Sequence, residues 1–189
     1  DQKMKKIKCR PVSESDLEMV MNWRMMPDVT RYMNTDPKLT IEDQRRWYKK
    51  INSREDCFYW VICINDEPAG MFQIVDIDNV NRRCSTGMYF AKPEVVPFGA
   101  SLYINYNMFD FIFLKLGINK LEAEVFSLNK GAIQFNKVSG LAVEGTRSQH
   151  IYKNDEYYDV VMMGMCRDEW NEKRKKANYP KIEIITDRG

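Results

Sequence analysis

The chain has 189 residues, 44% apolar and 30% charged, a composition typical of a globular protein long enough to bury one core. Its 29 Lys and Arg nearly balance 27 Asp and Glu, so the net charge of +2 gives no electrostatic reason to expect nucleic acid or an anionic membrane as partner. No apolar stretch approaches the ~20 residues that span a bilayer, and no signal peptide is visible. We therefore expect a cytoplasmic protein.

Strands and helices alternate through the first part of the chain. A strand is expected over residues 7–10. Ser13 and Asp16 have the spacing of a capping box, so a helix should follow and run to about Trp23 before Pro27 ends it. Residues 27–39 are expected to form a loop. Thr40 begins a second capping pattern, which predicts another helix.

Three strands are predicted next, over residues 58–64, 70–77 and 84–90, separated by polar turns. A long helix over 101–116 should stop at Gly117, where a left-handed residue is favoured. A strand over 120–126 and a helix over 129–139, ended by Gly140, follow. A last hairpin should begin at 141, turn at 153–156 and end near Met165. The polar residues 171–189 are expected to be a tail, which leaves one domain over 1–170.

This order, β-α-α-β-β-β-α-β-α-β-β, predicts an α+β domain built on one mixed, mostly antiparallel sheet. The five cysteines are odd in number and none has C-x-x-C spacing, so neither a disulfide framework nor a metal site is predicted. Cys63 lies in an apolar run, where a free Cys behaves as a small hydrophobe. A reducing compartment is favoured.

Two segments follow a strand and open a helix, the arrangement that binds phosphate groups. Residues 97–101, Pro-Phe-Gly-Ala-Ser, precede the long helix, whose first N–H groups are free to hold a pyrophosphate. A plain strand-to-helix turn has the same pattern. Asn129 ends a later strand, and Asn is also a favoured helix cap.

In this order the two segments resemble the GNAT acetyltransferase superfamily over about residues 7–167. GNAT proteins carry a Q/R-x-x-G-x-G/A loop before the long helix. They also carry a strand ending in Asn before a helix that closes on a step like Lys137-Val-Ser-Gly-Leu141. The resemblance implies a GNAT fold with central strands that splay near Tyr89, flanking helices, and acetyl-CoA as cosubstrate. It implies cofactor contacts from Met88, Tyr89, Phe90, Pro97, Phe98, Gly99, Ala100, Ser101, Asn129 and Phe135.

The segments 22–24, 29–33 and 40–47, with 76–78 and 159–161, are similar to the sugar-nucleotide amine acetyltransferases of pseudaminic acid biosynthesis. The resemblance implies transfer of an acetyl group to the primary amine of a UDP-linked amino sugar, and a homodimer is compatible with it. Aromatic rings stack on a base or sugar, and Arg binds phosphate. A Trp on a helix is more often core. The acceptor-site candidates are Trp23, Arg24, Arg31, Tyr32, Trp47 and Asp76.

Three residues are candidates for proton transfer. His150 is the only histidine, and an imidazole exchanges protons near neutral pH, although an exposed loop histidine is the more common case. Asp78, like Asp76, is expected beside the acceptor end of the sheet, where such residues more often cap turns. Ser85 stands where some GNAT proteins have a glutamate base, and it is suited to hold a water.

Other functions stay open. Acetyltransferases of protein N-terminal amines share part of the pattern. A polyamine acceptor predicts an acidic cleft, whereas a sugar nucleotide predicts Arg and aromatic residues. The loop at residues 97–101 keeps only one glycine of the Q/R-x-x-G-x-G/A pattern. Phe135 stands where many GNAT proteins have the tyrosine that protonates the leaving thiolate. These two departures favour a third alternative, a CoA-binding module without catalysis.

Overall fold

A computed structural model of the protein describes residues 4–187. It contains one eight-stranded sheet and six α-helices. The strands are β1 (Ile7–Pro11), β2 (Phe58–Ile64), β3 (Glu67–Asp78), β4 (Arg83–Phe90), β5 (Lys120–Phe126), β6 (Ala142–Lys153), β7 (Glu156–Cys166) and β8 (Glu183–Ile184). The helices are α1 (Leu17–Arg24), α2 (Pro27–Thr30), α3 (Ile41–Asn52), α4 (Ala100–Asp110), α5 (Lys130–Ser139) and α6 (Arg167–Lys176).

The strand order is β6-β7-β5-β4-β3-β2-β1-β8. Only the β4–β5 and β1–β8 pairs are parallel, and the other pairs are antiparallel. The predicted α+β class with a mixed, mostly antiparallel sheet is confirmed. The crossover through α4 makes β4 and β5 parallel neighbours at the centre of the sheet, since parallel strands need such a connection.

Side chains alternate between two separate cores because successive residues of a strand point to opposite faces. Trp60 and Ile62 of β2 pack with α4, α5 and α6 on the side we call the α4 face. Val61 and Cys63 pack with α1, α2 and α3 on the other side, the α3 face. The helices of the α3 face cover the half of the sheet that contains β1 to β4.

The predicted helix signals are present. The side chain of Thr40 accepts a hydrogen bond from the Asp43 N–H (3.2 Å), and Asp43 accepts one from the Thr40 N–H (2.8 Å). Gly117 and Gly140 end their helices with φ of 69° and 116°, in the left-handed region that suits glycine. The helix ends that these residues predict therefore agree with the structure: α3 begins directly after Thr40, and α5 ends directly before Gly140.

Three expectations are corrected. Residues 27–39 are not wholly a loop, because Pro27 begins the short helix α2. The long helix changes to a π-helical turn over Phe111–Lys115. The segment after 170 is not a loose tail: α6 buries Trp170 completely, and β8 pairs with β1. Only residues 188–189 of the expected tail lie outside the described residues.

No helix within residues 4–187 has the length and apolar character needed to cross a membrane. The same residues contain no group of three or more His, Cys, Asp or Glu side chains arranged to hold a metal ion.

Candidate active site

The two central strands separate partway along their length. β4 and β5 pair only at three positions, of which Ser85 opposite Glu122 is the last. Beyond it β4 continues to Phe90, bound to β3, while β5 continues to Phe126, bound to β7. The predicted splay is therefore present, and it begins at Thr86, three residues before the predicted position.

A close approach of β3 supports the outer part of β4. Gly70 pairs with Phe90, and a Cβ atom at Gly70 would lie 2.2 Å from the Tyr89 carbonyl oxygen. Only glycine permits this contact. β4 is thus held by β3 alone after Ser85, and its peptide groups on the side of β5 have no strand partner.

The gap between the strands opens into a cleft of about 210 Å³, which we call the split cleft. Residues from both faces of the sheet line it. Phe109 and Leu141 come from the α4 face, and Tyr32 comes from the segment after α2 on the α3 face. The split cleft therefore reaches through the sheet, so a ligand on one face can meet a ligand on the other. Its remaining lining residues are Phe72, Thr86, Gly87, Met88, Asn105, Ala123, Glu124, Val125, Phe126, Asn129, Ala132, Phe135 and Asn136.

The start of α4 has the features expected of a phosphate site. Gly99 is the N-cap residue, with φ of 81°. The Ala100 N–H donates a hydrogen bond to the Pro97 oxygen, and the Tyr103 N–H donates one to the Gly99 oxygen. In the described part of the chain, the N–H groups of Ser101 and Leu102 have no protein acceptor. Phe98 is fully exposed and contributes no packing.

Two predicted cofactor residues of the later segment line the split cleft. Asn129 caps α5, since its Oδ1 accepts a hydrogen bond from the Ala132 N–H at 3.1 Å. The alternative interpretation of Asn129 as a cap is correct, and that oxygen is already in use. Phe135 lies half-buried in the cleft, where its ring has no proton to give.

The three predicted proton-transfer residues lie outside the cleft lining. His150 is exposed on the edge strand β6. Asp78 closes a turn by accepting from Asn81 and Val80 N–H groups, and the Asn81 bonds chiefly hold its pKa below the usual range. Ser85 is the last paired residue before the split. The turn-cap alternative therefore holds for Asp78.

The predicted acceptor residues divide between two regions. Trp23 is buried in the core of the α3 face. Trp47 packs edge-on against Tyr59, with ring centres 5.2 Å apart, and lines a separate cavity together with Asp76. The core interpretation is thus correct for Trp23, and neither tryptophan lies at the split cleft.

Arg24, another predicted acceptor residue, lies near the Tyr89 side chain. Its Nε is buried without a hydrogen-bond partner, as is the Tyr89 hydroxyl, among the residues that the structure describes. Burial raises the pKa of Tyr89, and the charge of Arg24 opposes this only in part. Tyr89 therefore keeps its proton at neutral pH and packs into the core of the α3 face.

Arg31 and Tyr32 lie together beside the split cleft, which only Tyr32 lines. The Arg31 guanidinium stands 5.1 Å from the centre of the Tyr32 ring. Both residues line a second, open cavity of about 410 Å³ that shares Tyr32 and Phe126 with the split cleft. We call it the outer cavity. Its full lining is Arg31, Tyr32, Phe126, Leu128, Lys153, Asn154 and Tyr158.

Sequence reasoning missed several residues of this region. Glu124 lines the split cleft, and Phe126 stacks on Tyr158 with ring centres 5.4 Å apart. The alternation of Leu, Glu, Ala, Glu, Val and Phe along β5 could have separated its two faces. Nothing local to Lys153 or Tyr158 in the sequence indicates that the hairpin reaches the segment after α2.

Comparison with known proteins agrees with this geometry. Residues 9–162 match the family described as "Acetyltransferase (GNAT) domain". Acetyltransferase PseH of Campylobacter jejuni (strain 81-176) is 26% identical over 123 residues, which are 65% of this chain and 74% of the relative. Spermidine N(1)-acetyltransferase of Escherichia coli K12 is 25% identical over 170 residues, 89% of this chain and 90% of the relative.

Among solved structures, spermidine N-acetyltransferase from Vibrio cholerae in complex with CoA and spermine superposes with a TM-score of 0.81 at 18% identity. The superposition covers 88% of this chain and 98% of that one. The family match extends over most of the chain and includes the split strands, so a module without catalysis is set aside. The chain belongs to the GNAT acetyltransferase family and is an N-acetyltransferase with acetyl-CoA as its cosubstrate.

Proposed function

We propose that this enzyme acetylates the primary amine of a nucleotide-linked amino sugar, of the UDP-4-amino-sugar type, bound in the outer cavity. The observation that carries the proposal is the character of the cavity lining. It has three aromatic rings and the exposed cationic side chain of Arg31, and no carboxylate is among its lining residues. The ammonium group of Lys153 is buried and already paired with Asp36. A sugar nucleotide needs such a surface, whereas a polycation does not.

Each part of a sugar nucleotide has a matching group. The exposed Tyr32 ring and the half-buried Tyr158 ring, which stacks on the buried Phe126, offer flat apolar surfaces to a base or a sugar. The Arg31 guanidinium carries donors that match phosphate oxygens in pairs. Because Tyr32 and Phe126 also line the split cleft, an amine held there would face the donor across the sheet.

The donor would approach from the α4 face. The free peptide groups of β4 after Ser85 are suited to bond the amides of a pantetheine chain, as the predicted roles of Met88, Tyr89 and Phe90 require. The unpaired N–H groups of Ser101 and Leu102 at the positive end of α4 are suited to hold the pyrophosphate. With donor and acceptor bound in this way, much of the rate acceleration would come from positioning the two substrates and polarising the thioester carbonyl.

A polyamine is the second candidate acceptor. The observation in its favour is that relatives named spermidine N(1)-acetyltransferase align with 89% of this chain. The only carboxylate among the residues that line the split cleft is Glu124, and the outer cavity adds none. A polycation would need more negative charge than this lining supplies, so we rank the polyamine second.

A thiol-release assay with acetyl-CoA tests the ranking. The purified enzyme is offered UDP-linked amino sugars, spermidine and a peptide with a free N-terminus, each at matched concentration. We expect the highest kcat/KM for a UDP-amino sugar. A higher kcat/KM for spermidine or the peptide would overturn the assignment, while the acetyltransferase reaction itself would stand.

We also propose that the enzyme works in the cytoplasm. No disulfide joins any of the five cysteines, all of which lie within the described residues, and four of them are buried. This state fits a reducing compartment. The homodimer remains a prediction, which light scattering of the purified protein would test.

A further inference from the structure

The reaction releases a proton from the amine, and none of the three residues predicted to receive it lines the split cleft. One carboxylate does. Among the described residues that line the cleft, Glu124 is the only acidic side chain. Its position follows from the strand register and from the open half of the α3 face.

Strand alternation decides which way Glu124 points. Its neighbours Ala123 and Val125 are buried in the core of the α4 face, so Glu124 projects from the α3 face. Within the sheet, Glu124 pairs only with Met162 of β7, because β4 has separated from β5 at this position. Because α1, α2 and α3 cover β1 to β4, the Glu124 carboxylate remains exposed next to the gap, on the side of the outer cavity.

The side chains around Glu124 leave its carboxylate able to accept a proton. Arg147 of β6 lies 3.8 Å away, and both side chains are about half exposed (53% for Arg147 and 48% for Glu124). Such an exposed ion pair is weak and easily exchanged. The other titratable groups nearby are the Tyr32 hydroxyl, which lines the same cleft, and Glu122 two residues earlier on β5.

We propose that Glu124 is the general base, which accepts the proton of the attacking amine directly or through one water; the inference rests on the proposed use of the outer cavity by the acceptor. The amine nitrogen attacks the thioester carbon, an N–C bond forms, and the released proton passes to the Glu124 carboxylate. The C–S bond breaks, and its electron pair leaves with sulfur as the thiolate of CoA. That thiolate takes a proton from solvent, because Phe135 has none to donate.

Glu124→Gln tests the role, and Glu122→Gln is the matched control. Glu122 has the same side chain on the same strand and face, but it lies at the closed end of the split and does not line the cleft. Loss of a general base lowers the rate by roughly 10²-fold to 10⁴-fold. We expect a fall in kcat of about 10²-fold for Glu124→Gln with unchanged acetyl-CoA affinity, and wild-type kcat for Glu122→Gln. Wild-type kcat for Glu124→Gln, or equal losses in both variants, would refute the proposal.

Chemical rescue separates proton transfer from attraction of a charged amine. We expect added formate to restore part of the kcat of Glu124→Ala, because a small carboxylate can enter the open cleft, and to leave Glu122→Ala unaffected. A slow Glu124→Ala enzyme that formate does not rescue would contradict a role in proton transfer.

These assays use whichever primary amine the wild-type enzyme acetylates fastest. The comparison of acceptors with the wild-type enzyme therefore tests the acceptor class, and the Glu124 variants separately test the general base. We expect each variant to unfold at the wild-type temperature, so that a loss of activity reports on the reaction and not on the fold.

Discussion

Asp16 is a buried charge that ties the first strand to the first helix. Arg10 donates two hydrogen bonds to its carboxylate, at 2.7 and 2.9 Å, and the Ser13 N–H donates a third at 2.8 Å. Burial alone would raise the pKa of Asp16, but the bonds from Arg10 and Ser13 outweigh it and lower the pKa. The ionised form is thus the one that the folded state stabilises.

We expect Asp16→Asn to lower the free energy of unfolding at pH 7 by about 2–3 kcal/mol, the scale of hydrogen bonds to a charged group. Because the folded-state pKa lies below the unfolded value, this contribution is complete above the unfolded pKa. It is lost as the pH falls through the folded pKa. Urea unfolding at pH 7 and near pH 3 would show the difference between variant and wild type shrinking at the lower pH.

The exposed neighbour Glu14 supplies the control for this measurement, since Glu14→Gln should change the unfolding free energy little at either pH. A difference for Asp16→Asn that stays constant with pH would show that its charge is not the source of the stability. The sequence predicted a capping pattern at Ser13 and Asp16. It could not predict the bidentate bond from Arg10, which depends on how β1 lies against the turn.

In the proposed function, acceptor choice depends on Arg31. Its guanidinium lies over the Tyr32 ring at the edge of the outer cavity. We expect Arg31→Ala to raise KM for a sugar nucleotide by about tenfold, since one lost charge-assisted contact is worth roughly 1.5–3 kcal/mol. KM for spermidine should hardly change. Equal changes in KM for the two acceptors in steady-state assays would argue against a phosphate contact.

At the scale of elements, Lys153 joins the hairpin of β6 and β7 to the segment after α2. It is only 8% exposed, and its ammonium group donates to the Thr30 and Met33 carbonyl oxygens, both at 2.7 Å. Asp36 lies 3.2 Å away and supplies the opposite charge. A lysine at the end of a short helix also meets the negative end of its dipole. This clamp fixes the backbone that carries Arg31 and Tyr32.

We expect Lys153→Met to lower the free energy of unfolding by about 2–3 kcal/mol, because the Met33 and Thr30 carbonyl oxygens each lose a charged donor. KM for the acceptor should rise while acetyl-CoA affinity is kept, and amide hydrogen exchange over residues 30–36 should become faster. Lys130→Met, at an exposed position on α5, is the control. Unchanged exchange over 30–36 would mean that the clamp does not hold this segment.

Most elements follow from local patterns, and the contacts between distant elements do not. The strands β1 to β7, α3 with its cap, and the ends of α4 and α5 were indicated by apolar segments between polar turns, capping residues and glycines. The sequence predicts Lys153 in a turn. It does not indicate the clamp, because the carbonyl partners of Lys153 lie about 120 positions earlier in the chain. His150 and Asp78 were chosen for their chemistry, but only the sheet order shows that they lie away from the split.

At the scale of the whole molecule, the C-terminal segment completes the sheet and the core of the α4 face. Asp110 accepts hydrogen bonds from Trp170 at 3.1 Å, Arg174 at 2.9 Å and the Tyr179 hydroxyl. Burial, followed by the bond to Asp110, raises the pKa of Tyr179 to about 12, so the phenol stays protonated as the donor. The Trp60 indole donates to the Ile185 oxygen at 2.8 Å. Residues 171–176, which were expected to belong to a tail, are the last part of α6.

We expect removal of residues 177–189 to lower the free energy of unfolding by about 3 kcal/mol or more. The buried Trp60 N–H loses its acceptor, and apolar side chains such as Ile182 and Ile184 leave the core. Urea unfolding measures the loss. Tyr179→Phe is the milder variant and should cost about 1 kcal/mol through its bond to Asp110. Full stability in the truncated chain would show that this segment is dispensable.

At the scale of the whole molecule, the split between β4 and β5 opens a cleft through the sheet, and the proposed function puts the donor on one side of it and the acceptor on the other. A crystal structure of the protein with acetyl-CoA tests this arrangement most directly. We predict continuous density for the pantetheine chain between Met88 and Val125, with the pyrophosphate at the N–H groups of Ser101 and Leu102. Strands that stay paired beyond Ser85, or a cofactor bound outside the split cleft, would contradict it.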